Sequence, residues 1–169
     1  MKKILFALAS IIWNSLFSAQ LGNITSINEQ NNEFEIKTSD GAVTKIIFYR
    51  PDIFRIWVGP NGQLTDPASE EETAIVVYND NPIQVNQSEE NDYYKIESDA
   101  IVLRIYKNPC LFSLYKKDNS TLLFEENKPI TYGAETYQSI NRNSDDYFYG
   151  CGMQNGHFCH NDRNIQIEN

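Results

Sequence analysis

The chain has 169 residues, 14 of them basic and 23 acidic, for a formal net charge of −9; 41% are hydrophobic and 12% aromatic. Such acidity does not suit the phosphate backbone of nucleic acids or anionic lipid headgroups, so neither is expected as a partner. Three cysteines, Cys110, Cys151 and Cys159, are an odd number and far too sparse for a disulfide-built scaffold.

The N-terminus reads as a secretory signal. Lys2 and Lys3 make a positive start, Ile4 to Phe17 is mostly apolar, and Ser18-Ala19-Gln20 offers small residues for cleavage after Ala19. Phe17 stands where the cleavage rule prefers a small residue. The apolar run is short for a membrane span and is broken by Asn14. No cysteine follows it to carry a lipid anchor. A buried N-terminal helix is the alternative. With residues 1–19 removed, residues 20–169 form one domain, and losing both lysines takes the net charge to −11. The mature chain is expected to be secreted or periplasmic, without a membrane span.

After the signal almost nothing reads as helix. The polar stretch from Asn23 to Asn32 reads as a loose lead-in. Strands are predicted over residues 44–50, 53–58, 73–78, 93–96, 101–106, 111–115 and 121–124, all rich in β-branched and aromatic side chains. Breakers separate them: Asp40-Gly41, Pro60-Asn61-Gly62, Asn79-Asp80-Asn81-Pro82, Asn108-Pro109 and Asp118-Asn119. Glu70-Glu71-Glu72 and Ser88-Glu89-Glu90-Asn91-Asp92 read as solvated acidic loops. Many short strands with regular turns predict an all-β, antiparallel two-sheet sandwich. In residues 101–106, Ile101, Leu103 and Ile105 share one face; Val102, Arg104 and Tyr106 share the other. Apolar groups on both faces imply a sandwich whose outer side is partly covered.

The acidic pairs Glu125-Glu126 and Asp145-Asp146 do not amount to a glycosidase site. Such a site needs two carboxylates facing one bond, and strand neighbours point to opposite faces. These pairs read as turn and edge residues. Near the end of the chain, aromatic residues run into glycines, amides and histidines: Tyr147-Phe148-Tyr149-Gly150-Cys151-Gly152-Met153-Gln154-Asn155-Gly156-His157-Phe158-Cys159-His160. Glycine lets another backbone or a ligand approach closely. The Cys and His spacing lacks the paired arrangement of zinc sites, so no metal site is expected. Cys151 and Cys159 form a disulfide across this loop or remain small buried thiols; their spacing leaves both open. A Cys-His nucleophile pair is formally present, but the sequence shows neither a lowered thiol pKa nor an orienting third group. No phosphate-binding glycine loop is present.

Two stretches, in order, carry a resemblance. One is Ile46-Ile47-Phe48-Tyr49-Arg50-Pro51-Asp52-Ile53-Phe54-Arg55-Ile56-Trp57-Val58-Gly59-Pro60 followed by Asp66-Pro67-Ala68; the other is Tyr147-Phe148-Tyr149-Gly150-Cys151-Gly152-Met153-Gln154. With the strand over 100–106, the Lys107-Asn108-Pro109 turn and the Phe112-Ser113-Leu114-Tyr115 strand between them, they resemble the N-terminal β-sandwich of glycoside hydrolase family 31, which is galactose mutarotase-like. The resemblance implies part of a secreted, retaining α-glycosidase that cleaves terminal α-linked sugars without a cofactor. The family's nucleophile and acid/base Asp residues lie in a following (β/α)8 barrel, so no residue here inherits a catalytic role. The resemblance makes that barrel and an oligosaccharide the expected partners, and the 169-residue chain alone is expected to be inactive. It also makes the closing loop one wall of the sugar pocket, with Gln154, Asn155 and His157 as candidate substrate-binding residues; turn or domain-interface roles are the alternative for them. For the chain as a whole, two other readings stay open: a stand-alone carbohydrate-binding sandwich, or a non-catalytic cell-surface interaction domain.

Overall fold

The computed structural model describes residues 18–64, 83–133, 135–149 and 159–162. Two antiparallel sheets form a sandwich. The smaller is β2 (Ile24–Gln30), β3 (Glu33–Thr38), β4 (Val43–Arg50) and β5 (Ile53–Gly59), in that order. The larger follows the order β1 (Ala19–Gln20), β10 (Leu122–Tyr132), β9 (Cys110–Lys116), β8 (Ile101–Lys107), β7 (Tyr93–Glu97) and β6 (Asn86–Glu89). β11 (Tyr137–Ile140) pairs with β10, with register shifts that leave two irregularities between Glu126 and Thr131.

Alternation explains the core. Phe34 and Ile36 of β3 and Ile46 and Phe48 of β4 meet Ile96 of β7, Leu103 and Ile105 of β8 and Phe112 of β9 in one buried cluster. Each such side chain contributes on the order of 1.5–3 kcal/mol by leaving water. The opposite face of β8 is covered as its sequence implied. Arg104 lies 3.9 Å from the ring centre of Tyr115 and 5.1 Å from that of Tyr93, and its guanidinium donates to the side-chain and main-chain oxygens of Asn119.

The turns fall at four of the expected breakers. Gly41 takes φ 87° and Asn119 takes φ 54°, the left-handed region these residues tolerate best. Pro60 opens a single 3-10 turn over Pro60–Gly62, and a cis Asn108-Pro109 bond joins β8 to β9. The strand expected over 73–78, the Asn79 to Pro82 breaker, the acidic run from Glu70, residues 1–17 of the signal expected over 1–19 and most of the closing loop lie outside the described residues.

Three expectations are corrected. The stretch from Asn23 to Asn32 is not a loose lead-in: residues 24–30 are β2, which turns through Asn31 and Asn32, with φ of 55° and 61°, into β3. Its polarity reflects an edge strand, since only Ile24 and Ile27 lean on the core. Likewise, Ser88 and Glu89 end an edge strand, β6, before the acidic turn begins. The last long strand does not end at Phe124 but continues to Tyr132. Its second half is more polar because it exchanges β9 for β11 and β1 as neighbours.

Candidate functional site

The closing segment starts where β11 ends. Asn141 is tied back to β10, its main-chain N–H donating to the Glu125 carbonyl (2.8 Å) and its side-chain amide to the Glu125 carboxylate (3.0 Å). Residues 143–146 form a turn closed from both sides. The Asn143 N–H donates to the Asp146 carboxylate at 2.7 Å, and the Asp146 N–H to the Asn143 carbonyl at 3.2 Å. Asp and Asn favour such turns because their short polar side chains satisfy nearby backbone groups.

From this turn the chain leaves through Tyr147, Phe148 and Tyr149 and returns at Cys159 to Asp162. Asn161 joins the two arms. Its Oδ1 accepts from the Phe148 N–H at 3.0 Å, and its Nδ2 donates to the Asp146 carbonyl at 2.7 Å. The Cys159 thiol also donates to Asn161 Oδ1 at 3.2 Å, and the His160 N–H donates to the Phe148 carbonyl at 2.9 Å. Arg142 pairs with Asp162 at 3.0 Å, outside the clamp. Gln154, Asn155 and His157, the residues singled out in the sequence, lie outside the described residues, but the arms on either side of them are held together. Cys159 is a half-buried free thiol.

The rings leading into the loop face water: Tyr147, Phe148 and Tyr149 are 63%, 48% and 56% exposed. Leu122, Leu123, Tyr137 and Ile140 of β10 and β11 are exposed as well. Seven of the eight exposed large hydrophobic residues among those described therefore fall within residues 122–149. A cleft of about 280 Å³ opens beside Leu122 and Leu123, between the start of β10 and the 141–146 segment.

Behind the cleft the two adjacent glutamates part company. Glu125 is half-buried and holds Asn141. Glu126 is only 2% exposed, and its carboxylate accepts the Phe112 N–H of β9 at 2.9 Å and the Gln138 side-chain amide of β11 at 2.7 Å. Reading both acids as turn and edge residues was wrong for Glu126; it sits where β10 changes neighbours, and its carboxylate fills backbone and side-chain donors there. Burial pushes its pKa up, against the two hydrogen bonds that lower it. Neither this pair nor Asp145 and Asp146 places two carboxylates across a shared space, since Asp146 is engaged by Asn143 and the glutamates face apart. Among the described residues no group of three or more potential metal ligands lies together. No described helix is long and apolar enough to cross a membrane.

Residues 43–169 match the model of the glycosyl hydrolase 31 N-terminal galactose mutarotase-like domain. The chain belongs to that family. No curated protein matches it. Among solved structures, the fold is similar to that of the GH31 dextranase of Flavobacterium johnsoniae, with 19% identity and a TM-score of 0.75 over 86% of this chain. That dextranase is known complexed with isomaltotriose and with glucose. The cycloalternan-forming enzyme of Listeria monocytogenes, solved in complex with a pentasaccharide substrate, is 15% identical, with a TM-score of 0.68 over 83% of this chain. The chain spans only 18% of the dextranase and 14% of the Listeria enzyme.

The family's sandwich is thus present with its closing segment pinned at the base. Asn161 and Arg142 were missed in the sequence, and Glu126 was misassigned there, because each acts through a partner distant in the chain. The only local signal was the polar Asn161-Asp162 pair directly after the histidine.

Proposed function

We propose that this chain is the N-terminal sandwich of a secreted, retaining α-glycosidase that releases terminal α-linked sugars. Residues 1–19 act as the signal and residues 20–169 as the domain, which works outside the cytoplasm. The catalytic Asp pair belongs to a (β/α)8 barrel of the same polypeptide; such a barrel takes about 250 residues. The sandwich packs on it through the side bearing Tyr137, Ile140 and Tyr147. The clamped loop walls the sugar pocket, with Gln154, Asn155 and His157 reaching the substrate or the barrel.

The observation that carries this reading is the family match over residues 43–169, in a chain that spans less than a fifth of the GH31 dextranase. The concentration of exposed apolar residues beside the loop supports it.

The test compares the 169-residue chain with the product of the reading frame continued past Asn169. Aryl α-glycosides are expected to be hydrolysed, with retention at the anomeric carbon, by the longer product alone. Turnover by the 169-residue chain, or a stop codon directly after Asn169, overturns the reading.

A further inference from the structure

The cleft beside the clamp has a lining that fits one ligand class. One wall is apolar, formed by Leu122, Leu123 and Phe124. The other carries planar polar groups: the amides of Asn141 and Asn143, the Arg142 guanidinium and the Asp146 carboxylate, with Glu125 at its side. Several of these groups are already held in place. Arg142 is fixed by Asp162, Asn141 by Glu125, and Asp146 by the Asn143 N–H. A preorganised site loses less freedom when it binds.

The charges exclude other ligands. Two carboxylates against a single guanidinium, itself paired with Asp162, disfavour an anion. Among the described residues no group of three or more potential metal ligands lies together, so the cleft offers a metal ion no ligand set. A wholly apolar ligand would strip water from five polar side chains without replacing their hydrogen bonds. What remains is a neutral molecule with an apolar face and a rim of hydroxyls. A volume of about 280 Å³ lies near the lower end for small-molecule sites, suited to one or two sugar rings.

A second groove gives an internal comparison. On the small sheet, Asn28, Gln30, Asn31, Glu33, Glu35 and Lys45 line a space of about 310 Å³. It has amides and carboxylates but no apolar wall, so it offers nothing to the C–H face of a sugar.

We propose that the cleft between the start of β10 and residues 141–146 binds a short neutral oligosaccharide, so that this domain contributes described side chains, beyond Gln154, Asn155 and His157, to sugar recognition. The proposal rests on the glycosidase reading only for the choice of probe. It is tested without the barrel, so its failure is separable from that of the hydrolysis test above.

The experiment is a titration of the ¹⁵N-labelled 169-residue chain with isomaltotriose, followed by amide chemical shifts. Saturable shifts are expected at Leu122 to Glu125 and Asn141 to Asp146, with none around Glu33 and Lys45. Because one domain supplies the contacts, a millimolar Kd is expected, which about 20 mM ligand would saturate. The Asn143→Ala variant should weaken binding about threefold, the loss of one neutral hydrogen bond. Leu123→Ala should weaken it as well, and as an exposed position it leaves the melting temperature unchanged, which separates lost contact from lost fold. Absence of shifts in the cleft, shifts centred on the small sheet, or an equal response to glycerol overturns the proposal.

Discussion

Asn161 accepts the N–H of Phe148 at 3.0 Å while donating to the carbonyl of Asp146 at 2.7 Å, so one amide joins both arms of the closing segment. Removing it with Asn161→Ala leaves both backbone groups to water. The expected cost is about 1 kcal/mol, since each exchanged hydrogen bond is worth little net where solvent can replace it. The effect should be local. Hydrogen exchange at the Phe148 and His160 amides should accelerate, with the core amides of β8 and β9 unchanged. Uniform acceleration across the sandwich would show that the clamp supports the whole fold instead.

Glu126 predicts a pH dependence with a definite sign. Burial raises its folded-state pKa, and the bonds from Gln138 and Phe112 only partly offset this. The folded state therefore holds its proton more tightly than the unfolded chain. Its contribution to stability is fully present below the ordinary carboxylate range and declines as pH rises through the raised value. Asp40 runs the opposite way. Burial opposes its ionisation, but bonds from Thr38, Tyr132 and the Gly22 N–H outweigh that and hold its pKa below the usual value. Its contribution is present above the ordinary range and lost as pH falls. Glu126→Gln should flatten the decline towards neutral pH, because the amide still accepts the Phe112 N–H. Glu126→Ala leaves that buried donor unpaired and should cost about 1–3 kcal/mol. Urea unfolding from pH 4 to pH 8 reads both; a Glu126→Gln curve parallel to the parent's would exclude titration of Glu126.

The two-sheet sandwich was legible because strands β4, β5, β7, β8 and β9 are short runs rich in β-branched and aromatic residues, with turn residues between several of them. The elements that escaped notice are those whose partners lie far away in the chain. β2 is the exception, since its partner β3 follows directly; it looked like a tail because an edge strand needs only Ile24 and Ile27 on the core side. Glu126 looked like an edge residue because nothing local announces that Phe112 and Gln138 converge on it. The Asn161 clamp is similar: its value depends on the chain returning to Phe148, which no sequence window spans. The identity of the closing segment was readable from its aromatic and glycine run, whereas its attachment was not.

The Arg104 cage on the outer face of the large sheet gives a further prediction. The guanidinium lies over Tyr115 and beside Tyr93 and forks onto Asn119. Lysine cannot reproduce a planar fork stacked on rings. Arg104→Lys should cost about 1 kcal/mol and Arg104→Ala about 2 kcal/mol, in line with a partly desolvated cation-aromatic contact plus charged hydrogen bonds. Equal melting temperatures for parent and Arg104→Ala would mean that the cage contributes nothing to stability.

Cys110 and Cys159 should differ sharply in reactivity. Only the thiolate attacks an alkylating agent. Burial, reinforced by the negative charges of Glu126 and Asp40, pushes the Cys110 thiol up to about 12. Cys110 is fully buried, and its N–H donates to the Gly22 carbonyl at 3.0 Å, which fixes it beneath the end of β1. Cys159 is half-buried beside Asn161. With iodoacetamide at pH 8, mass spectrometry of the peptides should show Cys159 modified in the native protein and Cys110 only on unfolding. The same shift acts on alkaline stability. A thiol whose folded pKa is raised contributes fully below its ordinary value, and that contribution is lost as pH climbs towards about 12. Cys110→Ala should therefore lessen the fall in stability above pH 9, at the expense of a small cavity at lower pH. Labelling of Cys110 at the rate of Cys159 in native protein would show that the sandwich opens at this edge without unfolding.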